Sequence, residues 1–197
     1  ALETALAQSI AELGLLMGRV EGEAADILGF QVAMLEDDAL AGPAMSAIAE
    51  GVAADAAWSK AMASAIAGYE SSEDDYFRAR AADLKDMRDR VLRDWSGETE
   101  AGAASGMVLM GDDLAPTLFL ETDWSKGGAI ALISGSATSH VAMLARARGI
   151  PMIVGLGTDE ILTAQTVIVD GTRGIVIADP DDAALSVFST DHAQHAA

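Results

Sequence analysis

The spacing of apolar positions changes character once along this chain, near residue 100. Before that point the period is helical. Ile10, Leu13, Met17, Val20, Ala24 and Ile27 recur at intervals of three and four, the seam of a helix lying along another helix, and predict one helix over residues 1–28. Gly14, Gly18 and Gly22 form a second stripe on it, and each weakens a helix by about 1 kcal/mol relative to Ala. Further helices are expected over 30–40, ending ahead of Gly42 and Pro43, over 44–50 and over 54–68. The last helix runs from Ser72 to Trp95. Glu73, Asp74 and Asp75 place negative charge at its positive end, and Phe77, Ala81, Leu84, Met87 and Val91 give it an apolar stripe.

After a polar, small-residue stretch from Ser96 to Gly106 the runs shorten. Strand candidates lie at 107–110, 129–133, 152–154, 166–169 and 175–178, with a short helix over 159–162. Asp170-Gly171 between the last two strands is a hairpin signal. The expected organisation is an all-helical bundle over 1–96 followed by an α/β domain over 97–197.

One stretch of the α/β half carries chemistry. Ala129 to Ile133 is continuously apolar, as a strand buried on both faces is. Ser134, Gly135 and Ser136 break it. Thr138 and Ser139 are good N-caps, a helical pattern follows from Val141 to Arg148, and Gly149 and Pro151 stop it. His140 therefore falls in the first turn of a helix, where unpaired N–H groups and the positive dipole end converge. A phosphoryl group carried on imidazole would find its counter-charge there. By position alone, a histidine in a first turn is more often an ordinary polar residue. No G-x-S-x-G occurs, so a serine triad lacks its nucleophile elbow. No metal site is expected either: His192 and His195 lie in a polar tail and there is no cysteine.

Composition narrows the class. With 51% hydrophobic but 5% aromatic residues the chain folds around an aliphatic core. Thirty-one acidic against twelve basic residues give a net charge of −19, and 20 of the acidic residues with 8 of the basic ones fall in the first hundred positions. Such a field repels nucleic acid and anionic membrane and favours a basic partner. No apolar run approaches the roughly 20 residues of a membrane span. The first residues lack the basic start and apolar core of a signal peptide. Together with the missing cysteines, this gives a cytoplasmic expectation.

The run Gly-x-x-Thr-Ser-His, followed by x-Ala-x-x-Ala-Arg and Gly-Ile-Pro-x-Ile-Val-Gly, resembles the phosphohistidine motif of phosphoenolpyruvate-utilising enzymes. Here it is Gly135, Thr138, Ser139, His140, Ala142, Ala145, Arg146 and Gly149 to Gly155. Pyruvate phosphate dikinase, phosphoenolpyruvate synthase and Enzyme I of the sugar phosphotransferase system all carry a version. The helical half selects among them. Phe30 to Leu40 and Glu73 to Leu92 resemble two segments of the N-terminal domain of Enzyme I, where a helical subdomain inserted into the phosphohistidine domain docks the carrier protein HPr.

That resemblance implies a helical subdomain followed by a swivelling α/β domain, and a phosphoenolpyruvate-protein phosphotransferase activity. It implies a relay in which His140 is phosphorylated and passes phosphate to HPr. Gly135, Thr138, Ser139 and Arg146 match the residues around the histidine, and Met34, Leu40 and Arg80 match positions facing HPr. Binding of phosphoenolpyruvate and of Mg2+ is assigned by resemblance to a C-terminal barrel, which this sequence does not include, nor does it include the family's opening strand. No cofactor is expected in this stretch itself, and a monomer is expected, since the family dimerises through the C-terminal part. Two departures stand out: Ser136-Ala137 replaces Gly-Arg before the Thr-Ser-His, and Leu114 to Phe119 replaces a Leu-Thr-Pro-Ser-x-Thr loop whose last threonine lies beside the histidine. The readings that compete are an Enzyme I-like module of a multiphosphoryl transfer protein, to which the two departures point, a swivelling domain of a dikinase or synthase, and a regulatory module that keeps the fold for docking alone.

Overall fold

A turn that ends in glycine interrupts the first apolar seam. The structure is a computed structural model describing residues 2–98 and 106–195. In it the helix expected over 1–28 is two: α1 (Leu2–Met17) and α2 (Glu23–Leu35). Gly22 between them has φ 60°, ψ −138°, a conformation only glycine adopts without strain. The next pair of expected helices, over 30–40 and 44–50, is replaced by the end of α2 and a single α3 (Asp38–Ala49). Asp37 caps α3, its carboxylate accepting from the Ala39 N–H at 2.8 Å. Pro43 lies inside α3 rather than beyond a helix end. The N–H it lacks would have bonded the Ala39 carbonyl in the first turn, so the loss is confined to one bond there. Helices α4 (Ala54–Glu70) and α5 (Asp75–Ser96) lie close to expectation. Asp74 caps α5 through the Tyr76 N–H at 2.8 Å.

The chain divides into two compact units: Ala1–Gly102 with Ala115–Glu121, and Ala103–Leu114 with Thr122–Ala197. The first is the helical one. It takes in α6 (Pro116–Glu121), a segment the sequence reading placed in the α/β half. Residues 99–105 of the expected linker lie outside the described residues. Within the helical unit α5 packs on α1 and α4, and α3 packs on α4. Leu13, Ile27, Leu28, Trp58, Met62, Leu84, Met87 and Val91 are the buried side chains at the centre. Trp58 still satisfies its indole N–H, which donates to the Arg88 carbonyl at 3.2 Å. The apolar stripe of α5 holds from Ala81 onward but fails at Phe77, which is 44% exposed. Leu84 is fully buried on that stripe, so Leu84→Ala is expected to cost about 3 kcal/mol from lost transfer energy and the cavity left behind. Urea unfolding measures it, and a loss below about 1 kcal/mol would contradict this packing.

The α/β unit is built on a parallel sheet of order β1-β2-β3: Val108–Gly111, Ala129–Leu132 and Met152–Ile153. Leu109 pairs with Ile130, and Ala131 with Ile153. β2 is central and buried at all of its positions, as its unbroken apolar run required. Helix α7 (His140–Ala147) makes the crossover from β2 to β3, with Val141, Ala142, Leu144 and Ala145 buried. A separate antiparallel hairpin, β4 (Val167–Asp170) and β5 (Ile175–Ala178), follows a 3-10 turn at Glu160–Thr163. The Asp170 carboxylate closes the hairpin by accepting from the N–H groups of Thr172 and Arg173, each at 3.0 Å. The polar tail expected around His192 and His195 is instead a helix, α8 (Asp182–His195). Among the described residues no helix is long and apolar enough to cross a membrane.

Candidate functional site

Because its strands are parallel, the sheet puts the C-terminal ends of β1, β2 and β3 on one edge, where open α/β sheets place their ligands. The turn leaving β2 is bound there on both sides. Ser134 donates from its N–H to the Asp112 carbonyl at 2.9 Å and from its hydroxyl to the Asp112 carboxylate at 2.8 Å. Its own carbonyl accepts from the Gly155 N–H at 3.0 Å, beyond β3. Gly135 then turns the chain with φ 89°. A Cβ placed there would meet only ordinary contacts, 3.6 Å from Asp113 Oδ1 and 3.7 Å from Val154. Gly135→Ala is therefore expected to cost about 1 kcal/mol, for the backbone alone. Gly128→Ala should cost more, since its Cβ would lie 2.8 Å from the Met107 carbonyl. Urea melts of the two variants rank them, and the reverse order would contradict the geometry of both turns.

The next residues tie themselves together. Ser136 and Thr138 share a hydroxyl–hydroxyl bond of 2.9 Å, the Thr138 N–H donates to Ser136 Oγ at 3.2 Å, and the Ser139 N–H donates to the Ser136 carbonyl at 3.0 Å. Ser139 is the N-cap of α7, its Oγ accepting from the Ala142 N–H at 3.2 Å. His140 is the first residue of the helix and half-buried. Arg146, in the last turn of α7, reaches back and donates from Nη2 to the Ala137 carbonyl at 3.2 Å. Arg146 thus holds the loop ahead of the histidine. Gly135, Thr138, Ser139, His140 and Arg146 are brought to one turn of the α/β unit. The arrangement can hold an anion: the first-turn amides and positive dipole end of α7 lie at the turn that carries His140. Among the described residues no group of three or more His, Cys, Asp or Glu side chains is arranged to hold a metal ion.

The positions expected to face a partner lie in the helical unit and differ in accessibility. Met34 on α2 is half-buried, and Leu40 on α3 is 9% exposed and part of the core. Arg80 on α5 exposes 11% of its side chain and pairs with the buried Asp83 at 3.2 Å. Its guanidinium lies 4.5 Å from the centroid of the Phe30 ring and 5.2 Å from that of Tyr76, one turn ahead of Met34 on the α2 face. The sequence reading missed what surrounds it. Tyr76 and Phe77 are 57% and 44% exposed. Phe77 meets Tyr76 and Tyr69 edge-on, with centroids 5.7 and 5.6 Å apart.

Residues 103–174 match the family described as PEP-utilising enzyme, mobile domain, and residues 1–80 match PEP-utilising enzyme, N-terminal. The chain belongs to the phosphoenolpyruvate-utilising enzymes. Within that family its likeness is to the N-terminal part of Enzyme I. It is 32% identical to a phosphoenolpyruvate-protein phosphotransferase of Priestia megaterium over 99% of this chain and 36% of that protein. It is 30% identical to multiphosphoryl transfer protein 2 of Escherichia coli K12 over 62% of this chain and 16% of that protein. A solution structure of Enzyme I superposes with a TM-score of 0.74 at 28% identity, covering all of this chain and 83% of that one. The N-terminal domain of the nitrogen Enzyme 1 superposes with a TM-score of 0.63 at 25% identity, covering 98% and 82%. The chain therefore spans about a third of the length of the first of these curated relatives.

Proposed function

We propose that this chain is the phosphohistidine and carrier-docking part of a phosphoenolpyruvate-protein phosphotransferase, acting in the cytoplasm as a relay. The observation that carries the reading is His140 at the N-terminus of α7, on the C-terminal edge of a parallel sheet. In the charging step an unprotonated ring nitrogen of His140 attacks phosphorus. A P–N bond forms as the P–O bond of phosphoenolpyruvate breaks, and the enolate that leaves takes up a proton to become pyruvate. In the second step a histidine nitrogen of an HPr-type carrier attacks the same phosphorus. The P–N bond to His140 breaks and its electron pair returns to the ring. The chain's own work is alignment and charge neutralisation. Thr138, Ser139 and Gly135 shape the anion-facing turn, and Arg146 keeps it in place. Met34, Arg80 and the Tyr76–Phe77 pair offer the docking face, with Leu40 supporting it from beneath.

The helical unit is what favours Enzyme I over a dikinase or synthase, since in those enzymes the phosphohistidine domain has no such insertion by the resemblance given above. Incubating the chain with a phosphorylated HPr-type carrier tests the reading. Acid-labile, alkali-stable phosphate appearing on the chain supports it, and a folded chain that takes up none overturns it.

A further inference from the structure

Asp83 on α5 is fully buried, and a carboxylate that water cannot reach cannot meet a carrier either. Its partner Arg80, three residues earlier, keeps only the edge of its side chain at the surface. A pair of charges taken out of water gives the fold less than two apolar side chains of the same shape would, so the pair calls for a reason beyond packing. The reason lies in the aromatic rings around it. Arg80 donates from Nη1 to Asp83 Oδ2 and from Nη2 to the Tyr76 hydroxyl, each at 3.2 Å. The same guanidinium lies over the rings of Phe30 on α2 and Tyr76 on α5. Guanidinium is a rigid planar fork, so a bond at each amino group sets the angle of the whole plane. That plane sets where the two rings rest against it. Tyr76 passes the constraint on, since it meets Phe77 edge-on.

We propose that Asp83 and Arg80 are a positioning pair for the carrier-docking face: the buried carboxylate sets the plane of the guanidinium, and the guanidinium sets Phe30, Tyr76 and, through Tyr76, Phe77. Arg80 acts on that face as a clamp joining α2 to α5, and its charge is secondary. All five residues belong to the helical unit. For its effect on binding this rests on the helical unit being the docking part; for the order of the rings it does not.

The test compares the full chain with two variants. Asp83→Asn keeps an acceptor oxygen in the same space but weakens its hold on the guanidinium, and Arg80→Lys keeps the charge but loses the planar fork. In both free chains the ring-proton NMR signals of Phe30, Tyr76 and Phe77 should move from their parental positions. Stopped-flow binding of an unphosphorylated HPr-type carrier should show dissociation faster by about tenfold in Arg80→Lys and about threefold in Asp83→Asn. Association at low salt should stay within about twofold, because the acidic field of the unit is almost unchanged. A simple charged contact would behave otherwise, since Lys would replace Arg with little loss. Ring signals or dissociation at the parental values in either folded variant would overturn the proposal, even if the melting temperature fell. Should Asp83→Asn not fold, Arg80→Lys decides alone. A parent chain that does not bind the carrier would refute the docking reading only, while the ring signals still decide whether the pair orders the aromatic face.

Discussion

His140→Ala is expected to abolish phosphate uptake from a phosphorylated carrier while leaving carrier affinity within about twofold. Nucleophilic catalysis has no fallback when the nucleophile is removed, so the loss should exceed about a thousandfold. Affinity should survive because the aromatic and acidic groups that would meet the carrier lie in the helical unit, and His140 lies in the other. The helix itself should also survive: Ser139, not His140, provides the cap of α7, and alanine is a good helix former. Single-turnover labelling with phosphorylated carrier, alongside calorimetric titration of unphosphorylated carrier, separates the two quantities. Equal loss of both would mean that position 140 is structural. Replacing His192 and His195, which no part of the relay uses, should leave labelling intact.

Phe77→Ala is expected to weaken carrier binding by about ten- to a hundredfold, and raising salt should weaken it further, mainly through slower association. An exposed aromatic ordered by two edge-on neighbours is the kind of anchor that dominates interfaces, and truncating such anchors costs about 1–3 kcal/mol. The charges act differently. Twenty acidic residues of the first hundred steer a basic partner from a distance, an effect screened beyond about 8 Å at physiological salt. Stopped-flow binding of carrier to the parent and Phe77→Ala chains at low and high salt checks both halves. The variant should differ mainly in dissociation rate and the salt series mainly in association rate. Salt-independent association would remove the electrostatic part of the docking reading, and an unchanged dissociation rate in the variant would remove the aromatic part.

What the sequence made legible follows where a local signal was sufficient. β2 was readable because four consecutive apolar residues buried on both faces leave no alternation to misread, and α7 because Ser139, Gly149 and Pro151 bracket it. The His140 turn was legible for the same reason: capping, glycine and proline are local chemistry. The break after Met17 was hidden because the apolar seam continues in register through Val20 into α2; the positive φ of Gly22, the N-cap of α2, marks only where the second helix starts. Helix α6 carries no period of its own; Asp86, Arg90 and the burial of Phe119 create it, and no local rule sees partners 31 residues away. Helix α8 lacks an apolar stripe to announce it. Phe77 fits the α5 stripe by spacing but lies where no element covers it, so periodicity alone misplaced it in the core. Leu40, expected at a position facing the carrier, is buried among the helices, which spacing alone does not show.

The most direct measurement of the central claim is phosphorus NMR of the chain after incubation with phosphorylated carrier, followed by mass-spectrometric mapping of the modified peptide under alkaline conditions. The account predicts one phosphoramidate signal, lost in mild acid and absent from His140→Ala, with the phosphate mapped to the peptide containing Ser139, His140 and Val141. A phosphate that persists in the His140→Ala chain, or one that is stable in acid and maps to a serine or threonine of the same turn, would contradict it.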